Sequence, residues 1–344
     1  MEDTLAALSP AKILDTGFAF WNSKVLLSAV RMRLFTELGS ESLTAEQLGD
    51  RLNLHPRAIY DFFDALVSLG FLERVGEGPA GKYLNTAETA RFLDRNSPAY
   101  VGGILEMAND RLFRFWADLD TALKTGEPQN EIKHSKQSMF EVLYSDPERL
   151  EQFLVAMRGI SAGNFAALAA KFDFSNYQTL CDIGGATGVL CSVVAREHSQ
   201  LQCLSFDLPV VEPIAREWIK RDGAEDQVTA VSGDFFKDPF PQADVLTMGM
   251  ILHDWNLEKK KYLIAKAYEA LPKGGALIAI ENIIDDARRE NSFGLLMSLN
   301  MLIELGDAFD FSGSDFWSWC EEAGFERYEV LHLNGPCSAA IAYK

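Results

Sequence analysis

The sequence predicts an α/β protein, a doubly wound sheet preceded by a mainly helical N-terminal unit. Three observations predict it. From residue 179 onward, apolar runs at 179–183, 201–206, 228–231, 243–248, 275–280, 327–333 and 339–343 alternate with helical segments, the pattern of strands joined by crossovers. The first run ends in a glycine-rich turn, D-I-G-G-A-T-G at 182–188. Residues 43–84 read helix, turn, helix and hairpin. A chain of 344 residues, 48% of them hydrophobic, can bury two cores, and we place the boundary between residues 1–105 and 106–344.

Residues 11–38 are apolar on more than one side of a helix, with Ile13, Phe18, Trp21, Val25, Leu26 and Val30 spread around it. Such a helix is expected in an interface between subunits. Thr44 then caps a short helix, a turn spans 49–56, and a second helix carries Ile59, Phe62, Phe63, Leu66 and Leu69 until Gly70 stops it. The glycine-rich stretch 71–84 reads as a hairpin, which completes a winged helix. That module raises a rival class of function, a ligand-responsive regulator binding DNA. Its second helix offers Asp61 and Asp64 after Arg57, and residues 43–92 hold seven acids against five bases, so this face would repel a phosphate backbone.

Residues 98–170 read as mostly helical, with Leu112, Phe115, Trp116, Leu119 and Leu123 on one stripe and a polar loop about 126–136. Tyr144, before S-D-P, ends a helix expected to cover the glycine turn.

Bulk charge narrows the partners. A net charge of −18 disfavours nucleic acid and anionic membrane. The five cysteines, Cys181, Cys191, Cys203, Cys320 and Cys337, include no C-x-x-C pair, which suits free thiols in a reducing compartment. With no basic-then-apolar leader and no long apolar run, a cytoplasmic location is expected.

In doubly wound sheets ligands bind beyond the carboxyl ends of the strands. The first strand ends at Asp182, Gly184 and Gly185, where glycines allow close backbone approach and the next helix presents free N–H groups. A dinucleotide fingerprint would need glycine at Ala186 and Val189. The acid-x-G-x-G-x-G turn of methyltransferases fits Asp182, Gly184 and Gly188, with Ala186 its one departure. The second strand ends in S-F-D-L-P, where Asp207 can accept both hydroxyls of a ribose beside Leu208. The third ends in V-S-G-D-F-F, placing Gly233, Asp234 and Phe235 where an adenine could bind. The fourth, T-M-G-M-I-L-H-D-W, delivers Met248, Met250, His253, Asp254 and Trp255.

Taken with L-P-K-G-G and S-L-N-M-L-I, these motifs resemble, in order and over nearly the whole chain, the family of acetylserotonin O-methyltransferases and plant caffeate or flavonoid O-methyltransferases. The resemblance implies a homodimer with an N-terminal winged-helix dimerisation domain and a Rossmann-like S-adenosylmethionine domain, which would release S-adenosylhomocysteine. Carried over, it assigns Tyr144, Ser161, Gly184, Asp207, Asp234, Phe235 and Met250 to the cofactor and His253 to the role of general base. The two carboxylates that flank that base fall on Glu281 and Asp310. Asn300 and Glu304 align with substrate-contacting positions, and Asp254 joins them beside the base. Ala186 and Gly249 depart from the family pattern, which carries glycine and, in plants, lysine there.

Methyl transfer to a hydroxyl needs its proton removed, and a histidine of unperturbed pKa about 6.5 suits that task, with Glu281 or Asp310 orienting the ring. A thioether acceptor needs no base, so S-methylation, for instance of a methylthio-hydroxy acid, or N-methylation stays open as an alternative. No cluster has metal-ligand spacing, and no metal is expected. His55, His134, His198 and His332 lack a partner pattern.

Overall fold

The computed structural model describes residues 8–131, 133, 144 and 146–344. Part of the expected loop about 126–136, most of the helix leading to Tyr144, and His134 lie outside the described residues. The chain forms two units, Met1–Arg114 and Phe115–Lys344.

In the first unit the segment 11–38 folds as two helices, α1 (Ala11–Arg31) and α2 (Leu34–Leu38). Arg33 breaks them apart by adopting a left-handed backbone, φ 60°. The apolar girdle of α1 divides along its length. Leu27, Ala29 and Val30 are buried, while Ile13 (74%), Phe20 (53%) and Trp21 (58%) stand exposed in the single chain. Strand β1 (Leu43–Thr44) leads into α3 (Ala45–Arg51), which opens with a capping box: the Thr44 hydroxyl accepts from Gln47 N–H and the Gln47 side chain accepts from Thr44 N–H. Helix α4 (Ile59–Ser68) and the hairpin β2 (Leu72–Val75) and β3 (Lys82–Asn85) complete the winged helix, in a sheet of order β1-β3-β2. The acids of α4 tie up nearby bases: Asp61 pairs with Arg57, and Asp64 accepts from Arg74 at 2.6 Å and from the Tyr83 hydroxyl at 2.7 Å.

The second unit holds a seven-stranded sheet of order β6-β5-β4-β7-β8-β10-β9. Strands β4 (Thr179–Ile183), β5 (Gln202–Asp207), β6 (Val228–Ser232), β7 (Val245–Gly249) and β8 (Ala276–Glu281) are parallel, within a residue or two of the expected runs. Strands β9 (Arg327–Asn334) and β10 (Cys337–Tyr343) form an antiparallel pair, and β10 inserts between β8 and β9. Order reverses between β4 and β7, so the crevice above their carboxyl ends is the topological switch point. The central strands β4, β7 and β8 are buried on both faces, which explains their apolar runs, while the edge strand β6 alternates buried and exposed residues.

One face packs on α5 (Pro147–Lys171) and α6 (Val189–Glu197), the other on α7 (Leu257–Ala270) and α8 (Gly313–Ala323). Residues 149–171 of α5 are long and apolar enough to cross a membrane, but Phe165, Leu168 and Ala169 are buried in the sheet's own core. All five cysteines are free and buried.

Candidate active site

The glycine turn after β4 is shaped by packing against the protein itself. A Cβ on Gly185 would stand 2.2 Å from the Ser205 hydroxyl oxygen, and one on Gly184 2.3 Å from Ile251 Cδ1. Their N–H groups both donate to the Phe206 carbonyl, so the turn is fastened to the end of β5. Ala186 sits at φ 50°, where glycine is the usual residue. Its strained N–H donates to Asp207 Oδ2 at 2.8 Å, while Leu208 N–H donates to Oδ1 at 2.7 Å. Each Asp207 oxygen keeps a lone pair for a further donor, the arrangement that can receive two neighbouring hydroxyls. Burial pushes the Asp207 carboxyl up to about 6, against the pull of those two N–H groups.

Asp182 lies deeper, accepting from the Thr247 hydroxyl at 2.7 Å, and burial pushes it up to about 7. Tyr144 packs with Ala186, Leu208, Leu150 and Val211. Burial, then the Asp207 and Asp254 charges, raise its phenol. Gly233 N–H donates to the Asp207 carbonyl at 2.8 Å. Asp234 accepts from Phe236 N–H and pairs with Lys237 at 2.8 Å; burial raises its pKa, but Lys237, the Phe236 N–H and the Lys266 charge together lower it. Phe235, Phe236 and Trp255 form an edge-to-face group. Met248 is wholly buried in the core below the strand end, and Met250 turns the chain at φ 55° with its N–H on the Ile280 carbonyl. Ser161 is buried on α5.

Beyond β7 a tight turn, Leu252–Asp254, carries His253, which is 5% exposed. Both ring nitrogens face carboxylates: Nε2 lies 3.3 Å from Asp254 Oδ1, and Nδ1 lies 3.5 Å from Asp310 Oδ1. Glu281, at the end of β8, does something different. Its Oε1 accepts from the backbone N–H groups of Leu252 (3.0 Å) and His253 (3.3 Å), so it fastens the turn. Donor atoms of His253, Glu281 and Asp310 all lie within 4.8 Å of one another, close enough to share one proton or cation, although they come from three separate elements and show no common spacing in the sequence.

Burial pulls the imidazole down, but Glu281, Asp254 and Asp310 together outweigh it and push His253 up to about 10. The carboxylates pay in the opposite direction: burial raises Glu281 to about 7 and Asp254 to about 6 despite the nearby ring.

On α9 (Ser292–Leu305), Asn300 Oδ1 accepts from the Trp116 indole N–H at 2.9 Å, and Glu304 is 4% exposed. Residues 129 and 130 are pinned to the same helix, through Gln129 N–H on the Ile303 carbonyl and Asn130 Nδ2 on the Glu304 carbonyl. The sequence reading missed Lys260, a fully buried lysine on α7 that donates to the Trp255 carbonyl. Its signal was present: Lys260 shares helical spacing with buried Leu263, Ile264 and Ala267.

The chain belongs to the O-methyltransferase family, matching its O-methyltransferase domain over residues 116–326 and its dimerisation domain over 14–95. It is 40% identical to the tetracenomycin polyketide synthesis 8-O-methyl transferase of Streptomyces glaucescens, over 97% of each chain. To an N,N-dimethyltransferase of Streptomyces rimosus it is 35% identical, over 96% of this chain and 95% of the relative. Human N-acetylserotonin methyltransferase, solved in complex with S-adenosylmethionine, superposes with a TM-score of 0.90 at 26% identity, covering 98% of this chain and 99% of that one. The family is one of enzymes, which leaves the regulator reading without support.

Proposed function

We propose that this methyltransferase moves a methyl group from S-adenosylmethionine to a hydroxyl of a small aromatic molecule, with His253 removing the hydroxyl proton. The observation that carries this reading is His253 itself, buried at the end of β7 with a carboxylate opposite each ring nitrogen. The 8-O-methylating relative at 40% identity supports an aromatic hydroxyl as the acceptor.

Asp207 is suited to hold the ribose hydroxyls, and Asp234 with Phe235 the adenine end. Asp182, Gly184, Gly185, Leu208, Gly233, Met250, Trp255, Tyr144 and Ser161 complete the surroundings, with Met248 supporting them from the core. The cofactor supplies a methyl on positive sulfur, an electrophile that needs no further activation. The chain's own residues then hold the acceptor oxygen in line and take its proton. Orientation alone can contribute roughly 7–11 kcal/mol, and a positioned base about 10² to 10⁴-fold. Asp310 faces Nδ1 and fixes which nitrogen accepts; proton transfer then goes to Nε2, beside Asp254, whose raised carboxyl can share it. Asn300 and Glu304 face the acceptor. Two copies of the chain assemble as a homodimer through the exposed end of α1, in the cytoplasm.

His253→Ala should lower kcat by about 10² to 10⁴-fold while leaving cofactor affinity in calorimetry nearly unchanged. A variant within tenfold of wild type would remove the base. The dimethyltransferase relative makes amines a second acceptor class, so the screen with labelled cofactor should pair each phenol with its aniline counterpart. Preferential labelling of the anilines would shift the reading to nitrogen.

A further inference from the structure

Lys260 is 0% exposed, in the middle of a K-K-K run whose other members reach solvent. A buried ammonium must be paired or it is costly, and the partners here are specific. Its Nζ donates to the Trp255 carbonyl and stands 3.7 Å from the centre of the Phe309 ring. Trp255 directly follows Asp254, and Phe309 directly precedes Asp310. These are the two carboxylates opposite the two nitrogens of His253. A parallel tie, Asn256 Nδ2 to Asp307 Oδ2 at 2.8 Å, spans the same two segments from their outer side.

We infer that Lys260 is a positioning residue for the His253 site: a single buried ammonium clamps the turn carrying Asp254 to the segment carrying Asp310, and its charge opposes theirs. Lys260 donates from α7, Asp254 lies on the turn, Glu281 comes from β8, and Asp307 and Asp310 come from the segment after α9. Burial pulls the ammonium down to about 8, while Glu281, Asp310, Asp254 and Asp307 hold it up. The carboxylates also draw a proton onto His253, and a cation among them moderates that draw. A neutral residue at 260 would therefore leave the ring holding its proton to higher pH, and would loosen the spacing of its two carboxylates.

The kinetic part of this inference rests on His253 acting as the base; the clamp and its charge do not. The experiment follows the histidine ring signals by NMR in wild type, Lys260→Met and Lys260→Gln, with His253→Ala to assign the resonance. The His253 titration should move up by about 0.5 pH unit or more in both variants, since the amide of Gln restores a donor but no charge. Turnover should fall about 10- to 100-fold, as expected when a reacting group is displaced, with S-adenosylmethionine affinity within twofold of wild type. An unmoved titration in a folded variant overturns the inference. Full turnover in His253→Ala would instead remove the base reading, and the titration would still decide the role of Lys260. If neither variant folds, wild type labelled with ¹⁵N-lysine decides: one ammonium should exchange slowly and titrate below the rest. Lysines that all behave as exposed amines would overturn it.

Discussion

At the level of single residues, His253 and Asp207 carry opposite electrostatic consequences. The carboxylates around His253 push its pKa above the ordinary imidazole value, so the proton stays on the ring until the pH climbs past that value. Only the neutral ring accepts a proton, so kcat/KM should rise with pH, with an apparent pKa above about 6.5. A pH–rate profile checks this, and a flat profile between about pH 5.5 and 8 would favour an acceptor with no proton to lose, such as a thioether. Asp207→Ala should weaken S-adenosylmethionine binding by about 1–3 kcal/mol, the usual loss when hydrogen bonds to a charged group disappear. Calorimetry reads it directly, and an unchanged affinity in a folded variant would move the ribose elsewhere. The position of His253 at a strand end was legible from L-H-D-W following an apolar run. Which acid faces the ring was not, because Glu281 and Asp310 stand 28 and 57 positions away and their separate tasks depend on side-chain direction.

The turn at 184–188 shows how an element can keep its geometry while departing from the expected sequence. Ala186 at φ 50° carries roughly 1–2 kcal/mol of left-handed strain that glycine would avoid. Glycine in turn has about 0.5–1 kcal/mol more chain entropy to lose, and the Ala186 methyl packs beside Leu150 and Val211. Ala186→Gly should therefore change stability by less than about 1 kcal/mol in chemical denaturation. A loss above about 2 kcal/mol would show that the methyl is a needed part of that small core. The central strands β4, β7 and β8 were legible almost to the residue because both faces of each are buried, which leaves an apolar run and little else. The break in the first helix was not, since Arg33 in the left-handed region has no glycine or proline to announce it.

For the whole molecule, the exposed half of α1 is the feature to test. Phe18 and Trp21 pack together 4.6 Å apart on a surface with Ile13 and Phe20, a patch that water disfavours. Phe18→Asp with Trp21→Asp should convert a dimer to a monomer in sedimentation, and an unchanged dimer would place the interface elsewhere. Removing residues 1–40 would be a poorer test, because Val30, Leu34, Phe35 and Leu38 are core residues of the first unit.

The position of β10 has a consequence for synthesis. Strand β10 lies inside the sheet, hydrogen-bonded to β8 on one side and β9 on the other, although it follows both in the chain. While a ribosome is still making residues 337–343, β8 presents an open, apolar edge of the kind that recruits other chains. The methyl-transfer unit therefore cannot complete its sheet before residues 337–343 are free to insert, and a chaperone that shields sheet edges should raise its yield.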